Sequence, residues 1–186
     1  MTAKHIDQYV DRILFTEEEI QTRVKELGEQ ITRDYHDASA DLLLVGILKG
    51  ATIFMGDLMK HIDLDVEIDF MSVSSYGGHT VSSGDVRIIK DLDQHIMGKD
   101  ILIVEDIIDT GYTLDYLVHN LLSRGARSVK IAAVLNKQER RVVDLQGDYI
   151  GFDVPDEYVI GYGMDFNQKL RNLPYIGTLN PIYYRD

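Results

Sequence analysis

The chain has 186 residues, no cysteine, and 31 acidic against 19 basic side chains, for a formal charge of −12. No disulfide or thiolate metal site can form, the acidity repels a phosphate backbone and so argues against nucleic acid as a partner, and no apolar run approaches the roughly 20 residues of a membrane crossing. A single domain is expected, and a cytoplasmic one, because the first segment mixes Lys4, His5, Asp7 and Asp11 and lacks the basic and apolar parts of a signal peptide.

Along the chain, the first clear element begins at Thr16. Thr16 and Glu19 have the spacing of a capping box. Ile20, Val24, Leu27, Ile31 and Tyr35 follow at steps of four and three, which is one apolar stripe on a helix. Leu42-Leu43-Leu44-Val45-Gly46-Ile47-Leu48 is continuously apolar and reads as a strand buried on both faces, as in a parallel sheet. Lys49-Gly50 ends it. Phe54, Met55, Leu58, Met59 and Ile62 mark a second amphipathic helix. Residues 66–73 and 86–89 read as two more strands. Segment 74–84 between them holds three glycines and four serines in eleven residues, so a flexible loop that could serve as a lid is expected there.

Residues 101–104 form a short buried strand, and residues 105–113 are expected to be the turn after it. Leu114, Leu117, Val118, Leu121 and Leu122 make a helical stripe that Gly125 stops. Residues 129–135 supply the next strand and complete a βαβ unit with a right-handed crossover. The fold class is therefore α/β: a doubly wound, mostly parallel twisted sheet flanked by helices, with ligands at the carboxyl ends of the strands. Pro155, Pro174 and Pro181 all fall in the last quarter, which is expected to be more irregular.

The turn carries the chemistry. Glu105 and Asp106 leave a buried strand, Asp109 follows three residues on, and Thr110-Gly111-Tyr112-Thr113 opens a helix. A helix start offers free N–H groups and a partial positive charge, and two hydroxyls and a glycine beside it suit a phosphate monoester. The carboxylates are wrong for phosphate but right for sugar hydroxyls or a magnesium ion. Capping alone would account for one acid or hydroxyl, not for three acids and two threonines. A ribose 5-phosphate meets both demands. No Walker A motif occurs, and no Gly-x-Gly-x-x-Gly opens a helix, so ATPase and dinucleotide readings lose their main support.

Val104-Glu105-Asp106-Ile107-Ile108-Asp109-Thr110-Gly111 resembles the phosphoribosyl pyrophosphate signature of type I phosphoribosyltransferases. From about residue 42 to residue 175 the chain is similar to the bacterial hypoxanthine-guanine phosphoribosyltransferases of that family. The resemblance implies one domain over 1–186, with a core at about 40–150. It adds a purine-binding hood built from the N-terminal segment and about 151–186. It implies that Glu105, Asp106, Asp109, Thr110, Gly111, Tyr112 and Thr113 bind the phosphoribosyl group. Lys49, Gly50, Ser75, Tyr76 and Arg171 would bind pyrophosphate, with a cis peptide before the lysine. Lys137 would bond the purine O6, Tyr158 would stack on the ring, and Val159 and Asp165 would meet its edge. Asp109 would be the catalytic base, and magnesium would be held by Glu105, Asp106 and Asp165. The substrates would be phosphoribosyl pyrophosphate and hypoxanthine or guanine, and the assembly a homodimer or homotetramer.

Two departures from the family pattern are visible: tyrosine at 158 where many members have phenylalanine, and Asn136 where bacterial relatives commonly have aspartate. Three rival readings remain open. One is a phosphoribosyltransferase for xanthine or a pyrimidine. Another is a nucleotide-sensing regulator on the same fold, which would need a basic face. The third is an acidic phosphoacceptor domain, which would leave the threonine cradle and Lys137 unexplained.

Overall fold

The computed structural model describes residues 7–75 and 86–184. Nine strands and three α-helices alternate along these residues: β1 (Val10–Phe15), α1 (Glu17–Tyr35), β2 (Leu42–Leu48), α2 (Thr52–Leu58), β3 (Val66–Ser75), β4 (Val86–Lys90), β5 (Asp100–Ile108), α3 (Tyr112–Ser123), β6 (Ser128–Asn136), β7 (Tyr149–Asp153), β8 (Val159–Ile160) and β9 (Ile176–Leu179). Six strands form the main sheet in the order β4-β3-β2-β5-β6-β7. All its pairings are parallel except that of edge strand β4 with β3. This is the expected doubly wound α/β architecture.

The apolar run of β2 follows the two-residue period of a strand with both faces covered. Leu42 and Leu44 pack against α1 and α2 residues such as Ile20, Leu27 and Phe54. Leu43, Val45 and Ile47 pack on the other face with Leu114, Leu117 and Leu121 of α3. Truncating one such leucine to alanine costs about 2–5 kcal/mol, so this central strand is a rigid base for the turns at its end. Helix α1 starts as the sequence predicts: the Thr16 hydroxyl accepts from the Glu19 N–H, and the Glu19 carboxylate accepts from the Thr16 N–H at 2.8 Å. All five residues of its stripe are buried.

Some expectations need correction. Strand β5 does not stop at Val104 but continues to Ile108, paired with β6 as far as Ile108↔Asn136. Glu105 and Asp106 are therefore strand residues, and the turn begins only at Asp109. Pairing with β2 stops at Gly46↔Val104, but the ladder with β6 runs on, and here that one ladder outweighs the polarity of the acids. Helix α2 ends at Leu58 and tightens into a 3-10 turn, Met59–His61, which leaves Met59 exposed. Leu122 is also exposed, so the buried face of α3 is Leu114, Leu117 and Leu121.

A second, three-stranded sheet, β1-β9-β8, was not legible in the sequence. Its strands come from both ends of the chain: Val10 pairs with Leu179 and Val159 with Thr178, both antiparallel. Ile160, Leu170, Leu173 and Leu179 form its small core. The segment leading to it is tied to α2 by the buried Tyr162, whose hydroxyl donates to Asp57 at 2.8 Å. Segment 74–84 is described only as far as Ser75, whose backbone pairs with Val86. The rest of the expected lid, Tyr76 included, lies outside the described residues. Among the described residues no helix is long and apolar enough to cross a membrane.

Candidate active site

Strand order reverses between β2 and β5: from β2 the chain adds β3 on one side, and from β5 it adds β6 on the other. In doubly wound sheets the crevice outside the carboxyl ends of two such strands is where ligands bind. Three turns meet there: Lys49-Gly50 after β2, Asp109 to Gly111 after β5, and Lys137 after β6.

The Leu48–Lys49 peptide is cis, as the resemblance implied. Gly50 lies directly against the acids, since a Cβ there would sit 1.6 Å from Asp106 Oδ2. Any larger residue would push the Asp106 carboxylate out of its present place, where it is hydrogen-bonded. Asp106 accepts from the Ile107 N–H at 2.8 Å, and Glu105 from the Asp106 N–H at 3.2 Å. Burial, followed by the charge of Asp106, holds the Glu105 carboxyl well above the usual range. Burial likewise raises Asp106, with Glu105, Ile107 and Arg171 opposing it. Two adjacent carboxyls in a dry setting cannot both ionise at low cost. Their oxygens are the hard donors a divalent cation or a sugar diol takes, so the pair fits magnesium. Asp165 is not brought to it: among the described residues no three acidic or imidazole groups converge as a metal cluster.

A cavity of about 220 Å³ lies beside the pair and is lined by Glu105, Asp109, Thr110, Gly111 and Thr113, with Leu48 opposite. Helix α3 opens on Gly111, at φ 91°, with no side-chain cap. Its first N–H groups are thus left for a ligand. Both threonines face a space rather than the packed interior. Asp109 is partly buried, and Arg140 Nε stands 3.1 Å from its Oδ1. The approach is off the line of a hydrogen bond, so that buried oxygen has no donor.

Lys137 is buried, and its N–H donates to the Ile108 carbonyl at 2.9 Å. Its ammonium lies 3.6 Å from Asp156, which also lies 3.5 Å from Arg140. Tyr158 is 40% exposed, edge-on to Phe166 with ring centres 5.9 Å apart. Burial and the nearby Asp165 raise its hydroxyl pKa, so it stays a neutral stacking face. Val159 is buried in β8. Arg171 pairs with Asp165 at 2.7 Å and donates to the Gly163 carbonyl at 2.7 Å. The Lys49 ammonium donates to Gln168 Oε1 at 3.1 Å, and Arg171 reaches the same oxygen at 3.4 Å. Gly163, at φ 101°, seats this loop on the Gly50 carbonyl: a Cβ would lie 2.0 Å from it. Lys49, Gln168, Arg171 and Asp165 thus form one chain of contacts. Sequence reading had not found Gln168, Asp156, Arg140 or Arg141. The two adjacent arginines shortly after Lys137 were the available signal.

Residues 13–167 match the family model for the phosphoribosyl transferase domain. The chain is 54% identical over 177 residues to the hypoxanthine-guanine phosphoribosyltransferase of Bacillus subtilis (strain 168), covering 95% of this chain and 97% of that one. It is 52% identical over 179 residues to the enzyme of the same name from Streptococcus thermophilus (strain CNRZ 1066), covering 96% and 98%. Its structure is similar to the crystal structure of a hypoxanthine phosphoribosyltransferase from Staphylococcus aureus, with a TM-score of 0.94 and 48% identity over all of both chains.

Proposed function

The chain belongs to the phosphoribosyltransferase family, and on that premise we propose that it transfers the 5-phosphoribosyl group of phosphoribosyl pyrophosphate to N9 of hypoxanthine or guanine, releasing pyrophosphate, in purine salvage. The observation that carries this reading is the cavity itself. Its lining joins a helix start at Thr110 to Thr113 with a carboxylate at Glu105 and a carboxylate on Asp109 whose Oδ1 accepts no hydrogen bond although Arg140 stands beside it.

In this reading the open start of α3 and the hydroxyls of Thr110 and Thr113 hold the 5-phosphate, with Gly111 and Tyr112 completing the turn. Glu105 and Asp106 orient the ribose through its hydroxyls. The backbone of Lys49-Gly50, the side chain of Arg171 and the Ser75-Tyr76 stretch hold the pyrophosphate. Magnesium, held by Glu105 and Asp106, would neutralise charge on the leaving group. The C1–O bond to pyrophosphate breaks ahead of attack by N9, so catalysis consists mainly of positioning and charge stabilisation. Asp109 takes or shares a purine ring proton at N7, which its donorless oxygen suits.

Lys137 gives the base preference. An ammonium only donates, so it pairs with a 6-oxo group and opposes a 6-amino group. Tyr158 stacks on the ring, and the backbone of Val159 and the carbonyl of Asp165 meet its edge. Residues 1–186 act as one domain, with the small sheet and the 158–171 loop as the hood. A homodimer or homotetramer in the cytoplasm completes the reading.

A panel of hypoxanthine, guanine, xanthine, adenine and uracil with phosphoribosyl pyrophosphate and magnesium tests it. Nucleotide should form with the first two. Adenine should be rejected by about 1,000-fold or more in kcat/KM, because buried polar groups would be left unpaired. Comparable turnover of adenine removes the role of Lys137, and no turnover of any base sinks the assignment.

A further inference from the structure

Arg141 lies just behind the cavity and is absent from every role given above. Its guanidinium reaches three segments at once. Nε donates to the Asp109 carbonyl at 3.1 Å, Nη2 to the Ile108 carbonyl at 3.4 Å and to Asn136 Oδ1 at 2.6 Å, and Nη1 to the Leu145 carbonyl. Burial lowers its pKa, with Asp109 opposing. Its fixed planar fork of donors matches such a set, which a flexible ammonium cannot satisfy together.

The surroundings are built around this side chain. A Cβ on Gly111 would lie 3.0 Å from Arg141 Cδ and 2.6 Å from Val143 Cγ2, so the glycine of the phosphate turn is also what admits the arginine. The next N–H, that of Val142, donates to the Thr110 carbonyl at 3.0 Å. Asn136 is buried and two-ended: its Oδ1 accepts from Arg141 while its Nδ2 donates to Asp153 Oδ1 at 2.7 Å. An aspartate at 136 could accept from Arg141 but could not donate to Asp153. The departure from the family pattern at this position thus acquires a physical reason.

Asp109 follows Ile108, and Lys137 follows Asn136. The geometry points to Arg141 as a positioning residue that, with Asn136, fixes the separation between Asp109 and Lys137, the two groups that meet the neighbouring N7 and O6 on one edge of the purine. This inference rests on the function proposed above. It concerns how the site is held, because Arg141 touches no reacting atom. If the pin is loosened, both groups remain but their spacing is no longer set.

The test compares the full chain with its Arg141→Lys and Asn136→Ala variants. The measurements are the single-turnover rate of nucleotide formation from hypoxanthine, the affinity for phosphoribosyl pyrophosphate with magnesium, and thermal unfolding. Arg141→Lys should slow the single-turnover step by about 10- to 100-fold, the scale of a misplacement of roughly 1 Å. Affinity for phosphoribosyl pyrophosphate should stay within about threefold, since uniform binding is untouched. Asn136→Ala removes one of the contacts and should produce a smaller loss of the same kind. A folded Arg141→Lys enzyme with an unchanged rate overturns the inference. So does a loss wholly accounted for by weaker phosphoribosyl pyrophosphate binding. If Arg141→Lys does not fold, Asn136→Ala decides: an unchanged rate overturns the inference and a slowed one supports it. A wild-type chain that makes no nucleotide overturns the functional reading instead, and the base panel detects that separately.

Discussion

Strand β5 begins and ends with buried acids, and the two ends are treated in opposite ways. At its start Asp100, 2% exposed, is held by Arg127 through Nε at 2.9 Å and through a second close contact from Nη2, and Ser128 donates at 2.6 Å. Those hydrogen bonds, Arg127 first, keep its carboxyl below the usual range. At the other end burial pushes Glu105 and Asp106 up. The first end is closed, with its polar atoms satisfied from within the chain. The second is left open toward the cavity, with acids that accept from neighbouring backbone N–H groups and, among the described residues, have no cationic side chain bonded to them. Buried unsatisfied charge costs stability, and a native chain tolerates it where function requires it.

The contrast can be broken or sharpened by mutation. The largest effect belongs to the open end. Asp109→Asn removes the proton acceptor and should lower single-turnover nucleotide formation by about 100- to 10,000-fold, with nucleotide affinity nearly kept. Equal catalysis by that variant would end its role as base.

The closed end should answer in stability, not in rate. Asp100→Ala leaves Arg127 and Ser128 without their partner. Arg127 is 44% exposed and can be rehydrated, so a loss of about 1–3 kcal/mol in chemical denaturation is expected. Turnover of the folded enzyme should be unchanged. Because the folded pKa of Asp100 is depressed, its stabilising effect is present above the ordinary aspartate pKa. It is lost as pH falls through the lower folded value, and in Asp100→Ala this acid sensitivity should shrink.

The smallest effect has the opposite sign. Glu105 has a raised folded pKa, so the folded state holds a proton that the unfolded chain has already released. In the metal-free protein its contribution to stability therefore falls as pH rises from the ordinary glutamate value through the folded one. Glu105→Gln should remove that slope and raise the unfolding temperature at neutral pH by a few degrees, while weakening turnover. A variant that melts lower than wild type at every pH would count against the open end being a place of uncompensated burial.

The core was legible because burial is patterned along one element: an unbroken apolar run in β2 and every third or fourth residue of α1. The signature at residues 104–111 was legible because one contiguous stretch gathers three acids, a threonine and a glycine at the end of a buried strand. What stayed hidden depends on distant partners. Strand β1 has no strong pattern of its own and is a strand only because β9 lies beside it. Glu105 and Asp106 read as a turn because polarity signals a break, whereas the ladder with β6 alone holds them in β5. Arg141 looked like one of many surface cations, since its partners are mostly backbone carbonyls, which no side-chain pattern reveals.

The small sheet has a consequence for how the protein is made. Its central strand β9 follows every strand of the large sheet along the chain, while its partner β1 precedes them all and has to wait for it. A prematurely released copy could assemble most of the large sheet and its phosphate turn, but Val159 would have no strand to lie against. On the proposed reading such a product would keep the sugar-phosphate turn but lack the base-binding edge, which makes the arrival of β9 the last step in building the site.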